Sequence, residues 1–526
     1  MNKDINAIGL SIVIAVFVLV TMLGFLASRW RPAENLLHLD EWGLGGRKFG
    51  GVITWFLMGG DVYTSYVFIA VPAAVYATGA MGFFPVPYVA MFWPLAFIYF
   101  PRLWSVSSRR GYVTPADFVR GRFGSRLLAL AIAVTGLLGL MPYISLQLIG
   151  IQACLDVIGL SGNESAFGSE IPLFVAFAVL AAYTYTAGLR ATVLIAFVKD
   201  TIIYTVVLVA IVYIPMRLGG WHSIFATAER QLTTPDPDTN LAAGSILLDP
   251  DRGVIPYVTL AFGSALAYGL FPHVQTGLLA TGGRDAVRRS VAGLGIYSLA
   301  LGLIAMLGYG VIAAGLSLQD LQGNPQHALP ALFSTTFPEW FAGIAYATVV
   351  VSALVSAGFM SISAANLFTR NIYREFINAA ATPQQETRIA RRASLVVKFG
   401  ALLFVLGFDA SNAINFQLLG GLWLVQTLPT VVSGLYTRWF HPLALLSGWL
   451  TGMLSGTILA YVQHAPGKAH FASAVASLPV INQKVYIGLI ALGLNVIVCL
   501  TLTPVLRLLG VPRGEDETQP GDYIKQ

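Results

Sequence analysis

The sequence predicts an all-α integral membrane protein of about thirteen transmembrane helices, and three observations carry that expectation. Hydrophobic residues fill 56% of the 526 positions and charged residues only 11%, against roughly 25% charged in a soluble globular domain. Apolar runs of about 20 residues, the length a helix needs to cross a bilayer, recur from residue 7 to residue 510. Two of those runs are interrupted near their middle by glycine or proline beside an ionisable residue. The first two observations exclude a disordered chain, a disulfide scaffold and a soluble enzyme on a single anchor. The two cysteines, Cys154 and Cys499, lie inside apolar runs and point neither to a bridge nor to a metal cluster.

In chain order the runs fall at 7–28, 49–79, 81–101, 127–158, 171–188, 191–216, 254–281, 291–315, 340–369, 396–408, 412–436, 442–462 and 484–510. The first exceeds the 7–15 residues of a signal-peptide core and is followed by Ser28-Arg29-Trp30-Arg31 rather than a small-residue cleavage site, so it reads as a retained helix. The segment Gly219–Gly253, with its Thr-Thr-Pro-Asp-Pro-Asp run, is the longest loop and is expected to carry only short helices.

The net charge of +6 and the pI near 9.2 raise the question of an acidic partner. The basic residues instead alternate between loops. With the N-terminus outside, the inside segments, counted with the residues at their edges, hold 24 of the 31 Lys and Arg. The outside segments hold Lys3, Arg217, Arg230, Arg252, Lys468 and Lys484, and Lys199 falls within a span. The positive-inside bias predicts an outside N-terminus and a cytoplasmic C-terminus in a multi-pass cell (inner) membrane protein. It accounts for the pI without nucleic acid.

A bundle of this size is a channel, a transporter or an intramembrane enzyme, and the interruptions discriminate. Span two carries Met58-Gly59-Gly60-Asp61-Val62-Tyr63-Thr64-Ser65, and span seven carries Gly269-Leu270-Phe271-Pro272-His273-Val274-Gln275-Thr276-Gly277. Glycine costs about 1 and proline about 3 kcal/mol relative to alanine in a helix interior, so the backbone is expected to open there. Spans five apart cross in opposite directions, the pattern of two inverted five-helix repeats with broken first helices and a midplane site. The expected divisions are 1–48 (extra helix and inside loop), 49–217 (first repeat), 218–253 (outside loop), 254–437 (second repeat), 438–510 (two extra helices) and 511–526 (cytoplasmic tail). No His-Glu zinc motif supports an enzyme.

Charges deep in a membrane are expensive, about 2.5–3.5 kcal/mol each on insertion scales, so each is a site candidate. Three are read as lying well inside: Asp61, Lys199 and Asp200. They form either a buried ion pair or a proton or ion relay. On span nine, Thr348, Ser352, Ser356, Ser363 and Asn366 share one stripe, which serves either close helix packing or, through Ser356, a hard cation.

These residues resemble a known family. Gly45-Gly46-Arg47, Gly60-Asp61 with Val71-Pro72-Ala73-Ala74-Val75-Tyr76-Ala77-Thr78-Gly79, Tyr183-Thr184-Tyr185-Thr186-Ala187-Gly188-Leu189-Arg190-Ala191, Pro272-His273 and Ser361-Ile362-Ser363-Ala364-Ala365-Asn366-Leu367-Phe368-Thr369-Arg370-Asn371-Ile372-Tyr373 are together similar to the sodium/solute symporter family over nearly the whole chain. The last run and the place of Asp61 resemble its acetate, pyruvate and lactate permease branch.

The resemblance implies a LeuT-like core of spans two to eleven working by alternating access. It implies a cation-coupled symporter, and not an enzyme, for short monocarboxylates such as lactate, pyruvate, acetate or propionate. An amino acid or pantothenate is the alternative solute and a channel the more distant reading. Its sodium site would use backbone oxygens of Gly60 and Tyr63, Ser352, and hydroxyls at positions 355 and 356. Here position 355 is valine, Ala196 stands where many members have an inner-gate aspartate, and Ala187 replaces a family glycine. The coupling ion is therefore expected to be Na+ or H+, with no cofactor and no obligate protein partner beside the lipid bilayer.

A small carboxylate in a low-dielectric cavity needs donors, and the opened helix around Thr64, Ser65 and Tyr66 is expected to offer free backbone N–H groups. His273, Gln275 and Gln426 are the expected polar partners of the substrate, with Tyr63, Tyr66, Tyr268 and Trp423 as walls or gates.

Overall fold

The computed structural model describes residues 6–30, 37–160, 171–233, 244–407, 413–464, 470–479 and 482–524. A helix lies on each of the thirteen predicted runs. Among the described residues, nine helices are long and apolar enough to cross a membrane, or ten when Val254–Tyr268 and Pro272–Leu279 count as one bent span. The other three predicted spans are helical but fall short for visible reasons. Ile171–Ala187 has 17 residues and Ala413–Leu424 has 12, while Pro383–Gly407 carries Arg391, Arg392 and Lys398.

Span nine, Glu339–Phe368, lies at the centre of the bundle and is buried along its apolar length. It packs against span four (Arg126–Ile158), span one (Ala7–Trp30), span six (Leu189–Arg217) and span ten (Pro383–Gly407). Its polar stripe is hydrogen-bonded at four of five positions, three of them within the helix itself. Thr348, Ser352 and Ser363 donate to the carbonyls of Ile344, Thr348 and Phe359, and Asn366 donates to the Gly43 carbonyl. Only the Ser356 hydroxyl is buried without a partner.

The loops after odd-numbered spans meet on one face. Glu41 pairs with Arg190, Arg47 donates to the Tyr112 carbonyl at 2.6 Å, and Thr114 donates to Asn371 at 2.7 Å. The tail closes the same face, with Asp522 2.7 Å from Arg110 and Asp516 2.7 Å from Arg122 and 3.1 Å from Arg438. Loops after even-numbered spans meet on the other: His327 lies 3.1 Å from Asp156, and Ala80 N–H donates to the Ser245 carbonyl at 2.8 Å. The alternation of basic residues thus follows a real division of the loops.

The inverted relation of the repeats is visible in the backbone. Phe49, at the start of span two, bridges the end of span seven, where Gly282 N–H donates to the Phe49 carbonyl at 2.8 Å. The beginning of one broken span therefore lies beside the end of the other, as antiparallel first helices require.

Three features depart from the expectations. Residues Val475–Leu478 and Gln483–Tyr486 pair as an antiparallel hairpin, so the last span begins at Ile487. The long loop carries the 14-residue helix Gly220–Thr233. Lys398, counted with an inside loop from sequence, is 1% exposed and donates to Ser394 Oγ at 2.7 Å. Its helix begins at Pro383, well before the apolar run, which carries position 398 into the helix interior.

Candidate functional site

Span two is helical over Gly51–Gly60, opens at residues 61–64 and is helical again from Ser65. Span seven stops at Tyr268, bends by 44° and resumes at Pro272. Both breaks coincide with the predicted glycine and proline positions. Gly60 is needed for close approach, because a Cβ there would stand 2.6 Å from Asp200 Oδ1.

The two breaks meet through their ionisable residues. His273 Nε2 lies 3.1 Å from Asp61 Oδ2, both side chains essentially inaccessible, although the contact lacks hydrogen-bond alignment. Rings of Tyr143, Phe271 and Phe359 surround His273 at centroid distances of 5.6, 5.4 and 5.9 Å.

Beside this pair is a cavity of about 10 Å³, which is room for about one water molecule. Gly60, Asp61, Ala196, Lys199, Val355 and Ser356 line it. Lys199 donates to the Gly60 carbonyl and, at 3.3 Å, to the Tyr63 carbonyl, and lies 3.5 Å from Asp200 Oδ1. Tyr297 donates to Asp200 Oδ2 at 2.9 Å. Sequence neighbours Lys199 and Asp200 thus share one buried pair, and Asp61 reaches the same cavity.

The ligand set that the resemblance implies for sodium fits these residues poorly. The Gly60 and Tyr63 carbonyls accept from an ammonium, Val355 has no oxygen, and the Ser352 hydroxyl donates to the Thr348 carbonyl. Of that set only Ser356 presents a buried hydroxyl free of a protein partner, and the Thr192 hydroxyl, from span six, is a second such group in the cavity lining.

The expected substrate residues divide into two groups. Thr64, Ser65, Tyr66, Tyr268, His273 and Gln275 are all buried at the breaks. The hydroxyls of Tyr66 and Tyr268 and both amide atoms of Gln275 have no partner, an unusual density of unsatisfied buried groups. Tyr63 is turned towards spans six and eight, its hydroxyl 3.3 Å from the Tyr297 carbonyl and 3.5 Å from Tyr204 Oη. Trp423 and Gln426 face away. Trp423 Nε1 donates to Thr457 at 3.1 Å, and Gln426 donates to the Gly488 carbonyl at 3.2 Å and accepts from Asn495 at 3.3 Å. These two hold span eleven against the last two spans, because the helix turns their polar ends towards the extra pair.

The expectation of free N–H groups is also corrected. Thr64 N–H donates to the Val62 carbonyl at 3.1 Å, Ser65 N–H to Gln147 Oε1 at 3.0 Å, and Tyr66 N–H to Thr64 Oγ1 at 3.1 Å. Gln147 was missed in the sequence because a neutral amide carries no charge penalty to mark it. Its depth in the apolar run of span four, five residues after the in-helix Pro142, was the available signal. Tyr88 and Tyr143 complete an aromatic wall, at 6.0 Å from Tyr268 and 6.4 Å from Tyr66.

An all-helical bundle whose two antiparallel broken spans meet at buried ionisable residues is a secondary transporter of the inverted-repeat class. The chain belongs to the sodium:solute symporter family, whose sequence pattern matches residues 42–456. It is a symporter and not an enzyme. It is 46% identical over 96% of its length, and 98% of the relative's, to a monocarboxylate transport permease protein of Rhizobium johnstonii. The structure of a Na+-coupled sialic acid symporter matches with a TM-score of 0.73 at 14% identity, covering 96% of this chain and 98% of that one. A nucleobase-cation-symport-1 family transporter matches with a TM-score of 0.51 at 14% identity, over 91% and 97%. These matches give the LeuT-like fold.

Proposed function

We propose that the chain imports short monocarboxylates such as lactate, pyruvate, acetate or propionate by alternating access, driven by a cation gradient. The observation that carries this reading is the 46% identity, sustained across 96% of the chain, to a protein named as a monocarboxylate permease. The chemistry of the breaks supports it. A carboxylate bound there meets the Tyr66 and Tyr268 hydroxyls, the Gln275 amide and His273, all buried and unpartnered by hydrogen bonds. It competes with the Gln147 amide oxygen for the Ser65 N–H, since both are planar oxygen acceptors. Thr64 shapes the turn, and Tyr63 links it to span eight.

Asp61, Lys199 and Asp200 form the charged relay beside the substrate, and Gly60, Tyr63, Ser352 and Ser356 surround the cation position. The coupling cation is sodium, which the family's name carries, or a proton. The repeats are 49–217 and 254–437. The face that gathers the odd-numbered loops is cytoplasmic by the positive-inside rule, with the N-terminus outside and the protein in the cell (inner) membrane.

Uptake of labelled lactate or pyruvate into proteoliposomes, with sodium and proton gradients imposed separately, tests the reading. Unlabelled monocarboxylates are expected to compete while proline and pantothenate do not. Competition by proline or pantothenate alone reassigns the solute.

A further inference from the structure

We propose that the Lys199 ammonium is this chain's built-in cation: it occupies the position that the family resemblance gives to sodium, and sodium does not bind there. The inference takes the symporter's cation position from the reading above and depends on no particular substrate.

Three observations point the same way. First, the two backbone oxygens expected to ligate sodium, those of Gly60 and Tyr63, both accept from Lys199 Nζ. An ammonium is a compact, strongly hydrated point charge with three donors. Two carbonyls and Asp200 Oδ1 at 3.5 Å therefore take the place of its water. Second, the substitution at position 355 agrees with this occupant. An ammonium already held on one side needs no hydroxyl from span nine, and Val355 supplies none; a sodium ion lacking it would lose one of its few oxygen ligands. Third, the position does not suit two cations at once. The adjoining cavity of about 10 Å³ holds about one water molecule, and a second positive charge there would stand in direct repulsion with Lys199.

The surrounding charges balance a cation that is part of the chain. Asp200 faces Lys199 from its own helix and is held by the Tyr297 hydroxyl of span eight. Asp61 faces the same cavity from the break and contacts His273 of span seven. Span nine contributes Val355 and Ser356. Tethering makes the contact of the ammonium intramolecular, so its occupancy does not depend on the cation concentration in solution.

Thermal unfolding of the full-length protein in detergent, with sodium or choline chloride at equal ionic strength, tests this without any substrate. A ligand that binds the native state raises Tm. The wild type is expected to unfold at the same temperature in both salts, and Lys199→Ala combined with Val355→Ser is expected to gain a rise specific to sodium. A sodium-specific rise in the wild type that Ser356→Ala abolishes overturns the proposal. A second arm needs no variant: wild-type uptake is expected to keep its rate when choline replaces sodium. A loss of about tenfold or more, the scale of a lost binding interaction of about 1.4 kcal/mol, overturns it. If no monocarboxylate is taken up at all, the substrate reading fails while the thermal arm still decides which cation fills the position.

Discussion

His273 Nε2 lies 3.1 Å from Asp61 Oδ2, so the breaks of the two inverted repeats are joined by one buried acid–imidazole contact. Each residue comes from a different half of the chain, and each sits where its helix has lost its regular hydrogen bonds.

Asp61→Asn is expected to leave the protein folded and to abolish accumulation in proteoliposomes. The amide keeps the shape of the acid and removes its charge. Near-normal uptake by that variant would remove Asp61 from the mechanism. His273→Ala leaves the Asp61 carboxylate buried without its neighbour and is expected to lower Tm.

Gln147 decides whether the Ser65 N–H is offered to a substrate. Gln147→Glu places a fixed carboxylate where a carboxylate substrate competes, so KM for lactate is expected to rise by about tenfold or more, a penalty of about 1.4 kcal/mol, with a smaller change in kcat. Gln147→Ala frees the N–H and is expected not to raise KM. An unchanged KM in the glutamate variant would place the substrate elsewhere.

Gln426 bridges Leu422, Gly488 and Asn495. Gln426→Ala is expected to lower stability by about 1–3 kcal/mol, because Asn495 and two carbonyls lose a buried partner, while KM stays at the wild-type value. Trp423→Phe, which removes the bond to Thr457, is expected to behave alike. A raised KM in either variant would return these residues to the substrate pocket.

The tail carries a pH dependence outside the membrane. Burial alone pushes the Asp522 carboxyl up, but the Gln519 N–H and the Arg110 guanidinium, with Arg109, outweigh it and hold it below the ordinary carboxylate value. A depressed native pKa stabilises the docked tail at pH above the unfolded value of about 3.9, and that contribution is lost as pH falls through the native value. The protection of the tail amides, taken relative to their intrinsic exchange at each pH, is expected to fall below about pH 4 in the wild type and to be low already at neutral pH in Asp522→Asn. Equal protection in both proteins at neutral pH would show that Asp522 does not hold the tail.

Much of the bundle was legible because lipid imposes a simple rule: backbone polar groups must be satisfied within a helix, so spans announce themselves as long apolar runs. The two breaks were legible for the complementary reason, since glycine, proline and an ionisable residue have a cost there that a plain span avoids. Gln147, Tyr88 and Tyr143 were not legible, because neutral polar and aromatic residues are ordinary in membrane helices and carry no such penalty. Lys398 was misread because its helix extends past the apolar run that marked it.

Composition and periodicity alone determined that this chain is a membrane-embedded helical bundle, where its spans lie, which two are broken and which loops share a face. Those properties follow from the transfer cost of each segment taken by itself. Only the tertiary structure decided that Asp61 meets His273, that Lys199 lies on the Gly60 and Tyr63 carbonyls, and that Gln426 and Trp423 turn away from the breaks. Those outcomes depend on the rotation of each helix about its axis, which is set by packing against its neighbours and not by its own hydrophobicity.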